Sequence, residues 1–149
     1  MIVIYNQLNL FMRADHGFEM KNNIVVRLNN SSPEALKTEL SKHPNILNVS
    51  ASSHVPASGA TYGDGFKNRW TKGMGPILII IYVDQDYLGN LNVPLITGRY
   101  FSADAGLSNK NFIVINEQAV KAFHFATPAE ALGQQIIYQK DSSRLEIIA

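Results

Sequence analysis

The chain contains no cysteine. That absence removes a disulfide framework, a thiolate nucleophile and a thiolate zinc site together. It leaves the compartment open, because extracytoplasmic domains can also do without cysteine. An excess of either charge is missing too: thirteen basic residues stand against twelve acidic ones, a formal charge of +1. Such a balance lacks the basic footprint that releases counterions from nucleic acid, so no DNA or RNA partner is expected. Nor is there a long hydrophobic run. The longest, Ile77 to Val83, has seven residues, whereas a helix crossing a bilayer needs about twenty. Met1 to Tyr5 is apolar but meets Asn6 and Gln7 too early for a signal-peptide core, and no basic residue precedes it.

Catalytic signatures are equally scarce. No Gly-Lys-Ser/Thr triplet follows a glycine loop, and the dinucleotide-like start Gly63-Asp64-Gly65 has Asn68 where a third glycine belongs. Nucleotide cofactors are therefore not expected. The Gly-x-Ser-x-Gly elbow of hydrolases is absent. His16, His43, His54 and His124 lie far apart, and none has the i, i+4 spacing of a helical zinc site. They read as surface or capping histidines.

What is present describes a folded α+β chain. A length of 149 residues suits one ordinary domain or two small lobes, and a chain of this size buries roughly 68–70% of its unfolded surface. The 46% hydrophobic and 17% charged composition fits a packed core. Ile4, Leu8 and Phe11 recur at helical spacing, which predicts an amphipathic helix over 2–14 ending near His16-Gly17. Ile24 to Leu28 is a short β-rich run. Ser32 and Pro33 start a helix with Leu36 and Leu40 on its buried stripe, and Pro44 ends it. Leu47, Val49 and Ala51 then alternate with polar residues, so 46–55 reads as a strand and 24–55 as a β-α-β unit.

From Pro56 to Pro76 the chain holds five of its ten glycines and two of its six prolines, which reads as a long loop with a short strand at Arg69 to Thr71. Ile77 to Val83 should be a strand buried on both faces, followed by a helical turn at 84–88 opened by an Asp cap. Phe112 to Ile115 reads as a strand, Asn116 as a helix cap, and Thr127-Pro128-Ala129-Glu130 as a capping box. Ile136–Tyr138 and Leu145–Ile148 form a hairpin pair around residues 140–143. Strict β-α alternation is broken, so a doubly wound parallel sheet is not expected.

Three features carry chemical interest. Asp84 and Asp86 stand two residues apart, a spacing that can share a divalent cation, and one that equally suits the start of a helix. Tyr62 and Trp70 can anchor a partner or pin their loop to the core. Asn29-Asn30-Ser31 and Asn48-Val49-Ser50 match the glycosylation pattern only formally. The corner Asn92–Ser102, "NVPLITGRYFS", carries no catalytic side chain. Pro94 fixes its own φ and holds Val93 extended, Gly98 permits a tight bend, and Tyr100 and Phe101 bury area on either side. Arg99 is then expected to bind a carbonyl or a carboxylate, Asp104 being a candidate.

The order of Gly17-Phe18, "NIVVRL", "NVSASSHVP", the glycine-rich excursion, "VDQDYLGNLNVPLITGRYFS", "FIVINEQAVKAF", "PAEALGQQI" and "LEIIA" resembles the extracytoplasmic core domain of MacB-type, FtsX-like ABC transporter permeases. The resemblance spans nearly the whole chain. It implies a two-lobed α+β core domain over 19–149, one lobe from 20–55 with 136–149 and a β-α-β porter-like form, the other from 57–135. It implies further that 1–18 is a stalk leaving a first membrane helix, and that the domain continues past Ala149. The implied setting is the bacterial inner membrane, with this segment periplasmic and the missing nucleotide site on a cytoplasmic ATPase subunit. Implied partners are a second permease subunit and a periplasmic adaptor or cargo protein. The domain is expected to be non-catalytic, transmitting ATP-driven motion, with a contact surface around Ala57 to Gly75. No catalytic, cofactor or metal residue is assigned. The alternative is a ligand sensor or metal-dependent enzyme using Asp84, Asp86 and His54 around a pocket.

Overall fold

The computed structural model describes residues 17–19, 21–29, 31–55, 58 and 62–149. The helix expected over 2–14 lies outside the described residues. A five-stranded mixed sheet in the order β2-β1-β4-β5-β3 organises the rest. Its strands are β1 (Gly63–Lys67), β2 (Ile77–Ile79), β3 (Phe112–Ile113), β4 (Gln135–Tyr138) and β5 (Arg144–Ile147). All neighbours are antiparallel except β3 and β5, which run parallel. The fold is α+β, as the sequence implies.

Helices form where local signals call for them. In α1 (Pro33–Leu40) the Ser32 hydroxyl accepts from the Glu34 N–H and proline takes the first turn. Asn116 caps α3 (Glu117–Ala122) through the Ala119 N–H at 3.0 Å. Thr127 caps α4 (Pro128–Ala131) through the Glu130 N–H, while the Glu130 carboxylate reaches back to the Ala126 N–H at 2.8 Å. That closes the expected capping box one residue further out. The short α2 spans Tyr87–Asn90, with Asp86 at its cap position but no side-chain cap bond.

Several expected strands take another form. The excursion 56–76 contains β1, an interior strand of the sheet, while Arg69 and Trp70 lie in a turn rather than a strand. Glycine is depleted from strands because it packs nothing, yet in β1 it makes room for a neighbour: a Cβ on Gly65 would lie 2.6 Å from the Gln139 side-chain oxygen. A Cβ on Gly75 would lie 1.6 Å from the Phe66 carbonyl oxygen, so the connection to β2 folds tightly back over β1. Ile77 to Val83 is not buried on both faces. β2 is an edge strand whose Leu78, like the following Ile80, packs on the core, while Ile77 and Ile79 face outward. Ile24 to Leu28 forms no ladder, and Ile24 is 90% exposed. Of 46–55 only Ser52 makes a bridge, antiparallel to Val83. The β-α-β unit therefore has its helix but not its ladder, because a strand exists only where a neighbour accepts its hydrogen bonds.

The terminal hairpin forms as expected, with its turn closed by the Ser142 N–H on the Tyr138 carbonyl at 2.8 Å. Its outer ladder partners are β1 and β3. Phe66, Val120, Phe123, Phe125, Ala131, Ile136, Tyr138 and Ile147 make one buried cluster under this sheet. Phe66 stacks on Tyr138 at 5.1 Å between ring centroids.

Candidate functional site

Asp84 and Asp86 meet a lysine. The Lys37 ammonium, carried by α1, donates to Asp84 Oδ2 at 2.7 Å and also to Asp86 Oδ2. Asp84 Oδ2 accepts in addition from the Ala51 N–H at 2.9 Å, and its Oδ1 from the Asp86 N–H at 3.2 Å. Partial burial pulls the Lys37 pKa down, but the hydrogen bonds and charges of Asp84 and Asp86 outweigh it and hold the pKa above the ordinary value. The two carboxylates thus clamp α1 to the start of α2. His54 is not brought to them: its Nδ1 pairs with the Ser53 hydroxyl at 2.8 Å. Among the described residues no group of three metal-ligating side chains gathers anywhere.

This clamp belongs to a longer seam. The Ser53 N–H donates to the Tyr82 carbonyl, the Asp84 N–H to the Ala51 carbonyl, and the Glu19 N–H to the Leu91 carbonyl, at 2.8, 3.0 and 2.8 Å. Asn90 adds its amide to the Ser50 hydroxyl. Each of these links joins 17–55 to residues 82–91. Sequence reasoning singled out the carboxylates but not Lys37, although a lysine on an amphipathic helix is the ordinary counter-charge for such a pair.

The corner follows the seam directly. α2 ends with Asn92 at φ +50°, the Val93 N–H bonding the Leu88 carbonyl and the Asn92 N–H the Gly89 carbonyl. This is a Schellman stop, for which asparagine is a known alternative to glycine. The Tyr100 hydroxyl donates back to the Val93 carbonyl at 2.8 Å and ties the two ends of the loop. Gly98 sits at φ +90°, and a Cβ there would lie 2.1 Å from the Ile148 carbonyl oxygen. The same carbonyl accepts from the Arg99 N–H at 3.0 Å. The corner therefore seats its backbone against the residues that follow β5, and only glycine permits both the angle and the approach. The Arg99 guanidinium donates to the Tyr100 carbonyl at 3.3 Å and lies over the Phe112 ring at 5.0 Å, so it binds a carbonyl and an aromatic face rather than Asp104.

In the excursion, Tyr62 and Tyr138 both donate to Asp64 Oδ2, at 3.2 and 3.0 Å, and Lys140 donates to the Tyr62 hydroxyl at 3.0 Å. The Gly65 N–H, then Tyr138, hold the Asp64 carboxyl below the usual range. Trp70 lies edge-on to Phe125 at 6.2 Å and stays 54% exposed. It is both pinned to the core and presented outward.

His43 lies in the turn after α1, and His124 takes the left-handed position after α3 at φ +59°. There the Phe125 N–H bonds the Val120 carbonyl and the His124 N–H the Lys121 carbonyl, a second Schellman stop. His16 lies outside the described residues.

No curated protein matches the sequence. Among solved structures, the periplasmic region of MacB from Actinobacillus actinomycetemcomitans superposes with a TM-score of 0.56 at 17% identity, over 86% of this chain. The chain spans 52% of that solved chain, about half its length. At this identity the likeness is one of fold. The family model described as the MacB-like periplasmic core domain matches residues 1–149. This chain belongs to the MacB-like periplasmic core domain family.

Proposed function

We propose that the chain is the extracytoplasmic domain of an ABC transporter permease subunit held in the inner membrane. In this reading it carries motion from a cytoplasmic ATPase to protein partners or cargo and performs no chemistry itself. The observation that carries the reading is the seam. Residues 17–55 attach to the sheet region through links that converge on 82–91, and the corner 92–102 runs from that seam to the residues after β5. A domain joined this way can pass a displacement from its first segment to its last through one short stretch. The whole-length family match supports this permease setting. The second permease subunit and a periplasmic adaptor or cargo belong to the same proposal. The alternative enzyme or sensor is not favoured, because its two carboxylates are engaged by Lys37 and the Ala51 N–H.

The test uses the absence of cysteine. Ser58 is exposed, so Ser58→Cys places the chain's single thiol on the excursion. In intact cells with a permeabilised outer membrane, an impermeant maleimide should label it. Protection until the inner membrane is lysed would put the segment in the cytoplasm and overturn the permease reading.

A further inference from the structure

We infer that the turn Asn68–Thr71 is a preformed docking site for an acidic segment of a protein partner. The inference rests on the proposed partner-binding function and names the surface and the partner's chemistry. Asn68 is the buried polar residue that fixes the turn. Its amide donates to the Phe123 carbonyl at 3.1 Å, and its Oδ1 accepts from the Trp70 N–H at 3.1 Å and the Thr71 hydroxyl at 2.7 Å. The Thr71 hydroxyl in turn accepts from the Asn68 N–H at 3.2 Å. A turn held by four such bonds loses little freedom on binding, which favours affinity.

What the turn presents is Arg69 stacked on Trp70, with the guanidinium carbon 4.1 Å from the ring centroid. Trp70 rests on Phe125 and leaves 54% of its surface to solvent. Tryptophan and arginine are the residues most enriched where interface energy concentrates. A stacked guanidinium keeps its planar edge free for a carboxylate, which it can bind in two-pronged fashion.

Charge selects the partner. Between Gly65 and Val83 the chain has Lys67, Arg69 and Lys72 and no acidic residue, although it is nearly neutral overall. None of these three cations pairs with a carboxylate among the described residues. Carboxylates supplied in trans complete the site. An anionic membrane surface fits less well, since the aromatic offered is half-covered by Phe125 rather than free to insert.

Trp70 is the chain's one tryptophan, so its emission reports the turn directly. The probe is a decaglutamate peptide, compared with decaglutamine and with vesicles of phosphatidylcholine and phosphatidylglycerol. We expect a saturable change in Trp70 emission with decaglutamate only. Arg69→Gln should weaken it about tenfold, as loss of an interface anchor does. Lys110→Gln, which removes the same charge elsewhere, should leave it within about twofold, as a rim or remote charge does. Equal weakening by both variants would mean diffuse charge attraction and overturn the site. A response to vesicles but not to decaglutamate would replace the protein partner by a membrane surface. Either failure, together with maleimide labelling of Ser58→Cys in cells, would remove this docking site and leave the permease reading standing.

Discussion

Residues 17–55 and 63–149 solve the burial problem in opposite ways. The later region closes its own core: every buried hydrophobic residue among those described lies between Phe66 and Ile148. The earlier one buries none, and leaves Ile24 at 90% and Leu47 at 91% exposure. It is held instead by hydrogen bonds and a lysine clamp gathered on 82–91. Apolar burial stabilises in proportion to area, whereas partly exposed ion pairs contribute little. The sheet region should therefore set the global stability, and the earlier segment should open first.

The strongest way to break that contrast is Gly98→Val. It combines a φ of +90° with a Cβ 2.1 Å from the Ile148 carbonyl oxygen, and we expect the cooperative thermal transition to be lost or lowered by more than about 10 °C. An unchanged Tm would refute the close seating of the corner. Next in size is a matched pair. Ile136→Ala, at a fully buried core position, should cost about 2–5 kcal/mol in urea unfolding, and Leu47→Ala less than about 0.5 kcal/mol. Comparable losses would erase the distinction between the regions.

Smaller effects sharpen it. Asp84→Ala removes the acceptor shared by Lys37 and the Ala51 N–H, and should speed amide exchange in α1 while lowering stability by about 1 kcal/mol. The Lys37 pKa is raised in the fold, so its contribution is complete below the unfolded lysine pKa and fades as pH rises through the higher folded value. α1 should thus loosen in strongly alkaline solution, and Lys37→Met should abolish that part of the pH dependence. One substitution should give a gain: His124→Gly, at φ +59°, should stabilise by about 0.5–1 kcal/mol in the same urea assay.

Local features were legible in the sequence, and partnered ones were not. The caps Ser32, Asn116 and Thr127 and the terminal hairpin depend on residues a few positions apart, and all appear as expected. β1 was hidden because Gly63 and Gly65 argue against a strand until Tyr138 and Gln139 are known to lie beside it. Ile24 to Leu28 erred in the other direction: periodicity marks residues suited to burial but does not say what covers them. The acidic pair was legible as Asp84 and Asp86, while its partner Lys37 lies 47 residues upstream of Asp84 on another element. Trp70 was legible as an aromatic in the excursion. Its fixed orientation depends on Asn68 reaching the Phe123 carbonyl, a contact across 55 positions.

Native-state hydrogen exchange under low urea tests the central contrast most directly, comparing the amides of β4 and β5 with those of α1. We expect the Tyr138 and Ile147 amides to exchange only through global unfolding, and the α1 amides to exchange through a smaller opening at lower free energy. If α1 were protected as strongly as β4 and β5, with the same urea dependence, the two regions would form a single cooperative unit. The seam at 82–91 would then not divide the domain.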